Sequence, residues 1–297
     1  MAMLRQDSVT RDEFINKLPQ ITAAFWIMKI TATTLGETGG DWLSMTMNLG
    51  YLISTLIFFS LFVVALGTQL LSKKHYPYLF WTVIIATSTA GTTMSDYMDR
   101  TLGLGYTTGA AILVSILLCM LATWRLTVGN VSVNNISTRK AEVFYWVTIL
   151  FSNTLGTALG DFLSDDSGFG FFGSWLLITG ILGVILAATY FTKLPKILLF
   201  WIAFILTRPF GATFGDVLTK TQEKGGFNFG RGYSSLILLA MLIVTILVAY
   251  RKKNASLIVA DVEVSNMNRI DEVQQPYFEP EKSSFGIIEN EVPINNG

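Results

Sequence analysis

The chain has 297 residues, 51% of them hydrophobic and only 14% charged, with Lys plus Arg and Asp plus Glu equal at 21 each, and its mean hydropathy is +0.50. That is too apolar for a soluble domain of this length and fits a protein that crosses a bilayer several times, with lipid as its first partner. A single cysteine, Cys119, excludes an intramolecular disulfide and a Cys-based metal cluster, and a single histidine, His75, beside Lys73 and Lys74, argues against a zinc hydrolase or a histidine relay.

Residues 1–19 hold mixed charges and no apolar run, so they read as a short cytoplasmic lead rather than a cleavable signal. From there to residue 250 the chain repeats itself. Trp26, Trp81, Trp146 and Trp201 lie 55, 65 and 55 residues apart, and each is followed by a glycine ten residues on (Gly36, Gly91, Gly156, Gly211) and an aspartate fifteen on (Asp41, Asp96, Asp161, Asp216). One unit was duplicated, and then the pair was duplicated with a longer join. The repeats span 20–72, 76–125, 142–192 and 196–250. The second half of each is an uninterrupted apolar stretch (49–71, 102–124, 169–191, 233–250), most of them close to the ~20 residues that cross a bilayer. The first halves (21–40, 77–95, 143–160, 197–215) are more polar, and repetition argues for them as spans too. The expected fold is an all-α membrane protein of eight transmembrane helices in four parallel two-helix repeats, arranged as a pseudo-symmetric pair of four-helix halves.

Residues 251–297 change character: from Asn254 onward there are eight acidic residues against Arg269 and Lys282, the composition of a disordered cytoplasmic tail. This tail cancels the basic loops, so overall neutrality says nothing of partners, and there is no patch for nucleic acid. Thirteen Lys and Arg lie in the loops on the terminal side, against Arg100, Lys220, Lys224 and Arg231 on the other, which places both termini in the cytoplasm.

Chemistry, if there is any, belongs to the first helix of each repeat. Positions three, four and seven before each aspartate share its face: Thr38, Glu37 and Thr34; Thr93, Thr92 and Thr89; Thr157 and Thr154; and Thr213, with Pro209 replacing a threonine. Five carboxylates (Glu37 and the four aspartates) face two cations, Lys29 and Arg208. Lys29 stands where other repeats have Ile84, Ile149 and Phe204, and Arg208 where they have Thr33, Ser88 and Asn153. Charges in a span usually mark an aqueous cavity, an ion path or a proton relay. The bland readings are that Lys29 and Arg208 are internal counter-ions, that the aspartates cap the following turn with Ser44, Ser164 and Thr219 beside them, that the tryptophans form an interfacial belt, and that Gly36, Gly91, Gly156 and Gly211 are close-packing sites, the role favoured for the glycines. Glycine breaks in these helices would free carbonyls as further oxygen ligands. A Gly-aromatic pair opens the second helix (Gly50-Tyr51, Gly105-Tyr106, Gly170-Phe171), with Gly232-Tyr233 as the fourth counterpart after an enlarged loop.

Four tandem two-helix units with one tryptophan each, and strings such as KITATTLGETGGDWLS and SNTLGTALGDFLS, resemble a family of bacterial multipass inner-membrane proteins defined by a repeat of unknown function. The resemblance covers about residues 20–250 and implies a bacterial cytoplasmic membrane, with no activity, substrate or site residue attached.

The functional expectation is a transporter for a cation, a divalent metal among the candidates, or for a small solute coupled to protons, because carboxylates and threonine hydroxyls suit hard cations and protons. A cation channel with an aspartate ring, an intramembrane aspartyl hydrolase and a sensor or scaffold acting through the tail are the alternatives. The hydrolase lacks its Gly-x-Gly-Asp string, so no enzymatic activity and no cofactor is expected. A homo-oligomer is left open.

Overall fold

Helices begin where the sequence supplies their caps. In the computed structural model, which describes residues 22–72, 76–129, 131 and 138–251, α1 (Ala23–Asp41) starts at Thr22, whose hydroxyl accepts from the Phe25 amide at 3.3 Å. Pro77 opens α3 (Pro77–Asp96), where its missing N–H costs nothing. The Thr138 hydroxyl accepts from Ala141 at the head of α5 (Arg139–Asp161), and Pro195 precedes α7 (Lys196–Thr219). Between them run α2 (Gly50–Leu71), α4 (Tyr106–Val128), α6 (Gly170–Phe191) and α8 (Arg231–Arg251). The expected N-terminal lead, His75 and the acidic tail lie outside the described residues, apart from Arg251, which ends α8.

The described residues thus form eight long helices, two in each repeat, with no strand among them. Six are long and apolar enough to cross a membrane; α1 and α3 are not among these. The reason lies in position. The helices α1, α3, α5 and α7 pack side by side, and α7 returns to α1, so the four close a ring. Their contact faces are made of threonine, serine and glycine, which are buried within the ring instead of being presented to lipid. The second helices form the outer shell. α2 packs on α3, α4 on α5 and α6 on α7, so each outer helix leans on the inner helix of the following repeat. α8 returns to α1, where the Ser235 hydroxyl donates to that of Thr38 at 2.9 Å. Large apolar side chains such as Leu56, Val64, Leu176 and Leu236 project outward, the pattern of a surface that needs an apolar solvent. Inside, Ala110, Leu113 and Leu117 of α4 meet Leu155 and Ala158 of α5.

The ends of the inner helices differ from expectation. α1, α3 and α5 pass without a break through Gly36, Gly91 and Gly156 and continue into π-helical turns (Trp42–Thr46, Tyr97–Thr101, Phe162–Asp166). No carbonyl is freed at the glycines, because these sit against a neighbouring helix. In the fourth repeat the loop after α7 folds back, the amides of Phe227, Asn228 and Phe229 donating to Val217, Lys220 and Leu218 at 2.7, 2.9 and 3.0 Å. The residue opening α8 is Gly230, with φ of 76°, matching Gly50, Gly105 and Gly170 at 76°, 71° and 65°. The fourth counterpart is therefore Gly230-Arg231, not Gly232-Tyr233, and an arginine stands where the other repeats carry an aromatic ring.

Candidate functional site

The glycines set the register of the ring. A Cβ on Gly36 would lie 2.5 Å from that of Ser88; one on Gly91, 2.9 Å from that of Asn153; one on Gly211, 2.8 Å from that of Thr33; and one on Gly156 would run into the stem of Arg208. Every inner helix thus presses its glycine onto the same position of the next: Thr33, Ser88, Asn153 and Arg208 occupy one level. Gly40 packs on Thr92, Gly160 on Ala212 and Gly215 on Glu37, which gives a second level one turn on: Glu37, Thr92, Thr157 and Ala212. Lys29, Ile84, Ile149 and Phe204 form the level one turn before Arg208.

Arg208 fills the middle of this ring and is 0% exposed. Its Nη1 donates to the Thr33 carbonyl at 2.7 Å, and its Nη2 to the Ser88 carbonyl at 3.1 Å, to the Thr157 hydroxyl at 2.9 Å and to the Thr92 hydroxyl. One guanidinium therefore holds the three other inner helices. Nη2 also pairs with Glu37 Oε2 at 3.4 Å, and that oxygen accepts from Thr92 at 3.1 Å and from Thr157 at 3.5 Å. The two hydroxyls accept from the arginine and donate to the glutamate, which links the four groups in one network.

Lys29, also 0% exposed, is different: its Nζ lies 4.2 Å from the centre of the Phe204 ring and finds no hydrogen-bond acceptor among the described residues. Of the two charged residues that break the repeat pattern, Arg208 has its counter-ion and Lys29 does not.

The four aspartates, 1–4% exposed, gather at one end of the ring, and there the expected charge count is corrected. Three cations that served only to orient the chain fold onto them. Arg100 bridges two repeats, with Nε 3.0 Å from Asp96 Oδ1 and Nη2 3.2 Å from Asp161 Oδ2, and it donates to the Tyr51 hydroxyl at 3.2 Å. Lys220 pairs with Asp216 at 3.1 Å and lies over the Phe171 ring. Arg231 pairs with Asp41 at 3.3 Å. Arg208, Arg100, Lys220 and Arg231 thus pair with the five carboxylates, Asp165 also lies 3.9 Å from Arg100, and Lys29 alone of the two expected cations stays apart. Nor do the aspartate side chains at 41, 96 and 161 cap the turns they precede. Among the described residues, no three His, Cys, Asp or Glu side chains are grouped to hold one metal ion.

The threonine stripe divides. Only Thr92 and Thr157 reach the charge pair; Thr34, Thr89, Thr93, Thr154 and Thr213 return their hydroxyls to carbonyls of their own helices at 2.9–3.1 Å, and Thr38 meets Ser235. Two of the tryptophans depart from the belt reading: Trp81 and Trp146 are 1% and 0% exposed and belong to an aromatic layer closing the other end of the ring, while Trp26 and Trp201 are half-buried at its edge. Phe25 meets Trp81, Phe80 meets Trp146 and Phe200 meets Trp26, at 5.9, 5.5 and 5.7 Å between centres, while Trp124 bridges Tyr145 and Trp201.

The residues that sequence reasoning left out of the site are Arg100, Lys220, Arg231 and Tyr51. Arg100 and Lys220 carried a signal, since each follows its aspartate by four residues and so lies on the same helical face. Arg231 was hidden by the misplaced glycine. No curated protein and no solved structure matches the chain. The family profile described as Repeat of Unknown Function (DUF347) matches residues 24–75, 79–130, 144–194 and 199–255, so the four units read from the tryptophans are four copies of that repeat and the chain belongs to this family.

Proposed function

We propose that the protein is an integral membrane transporter in which the inner ring of four helices forms the route, the Glu37–Arg208 pair is its central gate and the aspartates with their three cations form its outer mouth. In this reading all eight helices span the membrane as four parallel pairs, repeats 1 and 2 equivalent to repeats 3 and 4, with both termini in the cytoplasm. The placing of cations supports the two-fold relation: Arg100 and Lys220 hold the same position in repeats 2 and 4, each under an aromatic ring, Tyr51 or Phe171, from the preceding repeat.

The observation that carries the proposal is the buried pair. A membrane protein gains little stability from an ion pair on its axis, because desolvating both partners offsets most of their attraction, so intramembrane charges of this kind usually belong to a substrate or proton path. The pair supplies a two-state element. While Glu37 is ionised it holds Arg208 across the ring through Thr92 and Thr157. A proton on Glu37 removes that attraction and releases the guanidinium, which joins all four inner helices. Movement of a small solute past this level is thereby coupled to a proton.

The test is transport by purified protein in vesicles containing a pH-sensitive dye, challenged with a panel of small carboxylates, neutral solutes and metal cations. Saturable solute movement with matched proton movement is expected, abolished in Glu37→Gln while that variant remains folded. Absence of flux across the panel, or undiminished flux in Glu37→Gln, refutes it. A cation route is the second reading, favoured by four aspartates gathered at one end, and metal-ion flux lost in Asp41→Asn or Asp161→Asn would select it.

A further inference from the structure

The centre of the ring is short of acceptors. Lys29 Nζ, Arg208 Nε, Asn153 Nδ2 and Ser88 Oγ are all buried and all without a hydrogen-bond partner among the described residues. Arg208, Asn153 and Ser88 share one level of α7, α5 and α3, and Lys29 lies one turn below on α1. Lys29 Nζ, Arg208 Nε and Asn153 Nδ2 only donate, so they cannot satisfy one another by turning, and the Ser88 hydroxyl is the single group of the four that can also accept. Locally, Lys29 and Arg208 stand against Glu37 alone, which leaves one positive charge in excess at these levels, while at the end of the ring the four aspartates share three cations.

We infer that the axis between Lys29 and Arg208 is a binding site for one small monovalent anion, of halide or short-carboxylate size. This rests on the transport reading of the same axis and names its substrate class. One negative charge matches the local excess, and a halide or a carboxylate can accept from more donors than the two that a water oxygen accepts. Ile84, Ile149 and Phe204 line the Lys29 level and are 0–2% exposed. Such an apolar floor selects against strongly hydrated divalent anions and suits a monovalent one whose apolar part it can face.

The test uses the full chain in lipid nanodiscs, titrated with chloride at constant ionic strength, with binding read from the 35Cl nuclear magnetic resonance linewidth. Saturable excess broadening is expected, displaced by formate or acetate but not by sulfate, weakened at least tenfold in Lys29→Met and unchanged in Lys196→Gln, which removes an exposed lysine. Asn153→Leu is the second variant and should weaken binding several-fold. The inference is overturned by linear, non-saturable broadening in the unaltered protein, or by full binding in a folded Lys29→Met. Saturable chloride binding without anion flux in vesicles upholds the site and removes only the transport reading. Coupled flux of some other solute with no anion binding does the reverse.

Discussion

Replacing Glu37 by glutamine keeps the shape of the side chain and removes the one negative charge that touches Arg208 among the described residues. The guanidinium is 0% exposed, so it stays buried without its counter-ion. Breaking a buried pair from one side costs about 3–5 kcal/mol. The carboxamide oxygen can still accept from Thr92, Thr157 and Arg208, and a hydrogen bond to a charged group recovers about 1.5–3 kcal/mol of that. The net loss is then roughly 2 kcal/mol, and at ~2–4 °C per kcal/mol for a chain of this size the melting midpoint in nanodiscs falls by about 4–8 °C. Removing both charges should behave differently. In Glu37→Leu with Arg208→Met the methionine keeps the stem that packs on Gly156, no charge is left stranded, and stability returns to within about 1 kcal/mol of the starting protein. The assay is a double-mutant cycle of thermal midpoints, followed by tryptophan fluorescence. A glutamine variant that melts within a degree of the unaltered protein, or a double variant less stable than the sum of its singles, would refute the view that the two residues act as one buried unit.

Three further outcomes follow from the packing and the rim. Gly36→Ala should lower stability by about 1–3 kcal/mol, since its Cβ meets Ser88 at 2.5 Å, whereas Gly67→Ala, on the open face of α2 with nothing within 4 Å, should be neutral or gain up to about 1 kcal/mol; equal effects in the two melts would contradict the ring register. Arg100→Lys should fail to restore the stability lost in Arg100→Gln, a loss of about 1–3 kcal/mol, because one ammonium cannot face Asp96 and Asp161 together as the fork does; full rescue by lysine would remove the bridging role. For orientation, Cys119→Ser with Glu223→Cys should react with a membrane-impermeant maleimide added outside intact cells, and labelling only after lysis would invert the proposed topology.

How much of this was readable in the sequence depended on whether a signal repeated. The tryptophan, glycine and aspartate spacings gave four units and put the glycines at helix contacts, because close approach requires a missing side chain at the same place in each copy. Hydropathy alone would have discarded α1 and α3, whose polar faces are buried by neighbours rather than by lipid; the fourfold pattern retained them. The fate of the aspartates was legible only in part: Arg100 and Lys220 follow Asp96 and Asp216 by four residues, but the reach of Arg100 to Asp161 and of Arg231 to Asp41 depends on a π-helical turn and a positive φ at Gly230, neither of which has a periodic signature. The threonine stripe misled for a related reason. Seven residues on a helix return to nearly the same face, but a ring of four helices has both an axis side and two flanks, and only the level of Thr92 and Thr157 points to the axis.

The handover of each outer helix to the next repeat's inner helix has a consequence for how the protein is made. Asp41 emerges early in synthesis, and its cation, Arg231, lies 190 residues later. At ~5–20 residues per second, translation leaves this carboxylate without its partner for on the order of 10 to 40 s. Ser235, which completes the wall beside Thr38, arrives later still. The nascent chain must therefore shelter an unfinished polar seam, either at the insertion machinery or in thinned lipid, until its final hairpin enters. Ribosome stalling or truncation within the fourth repeat should leave a product that quality-control proteases remove.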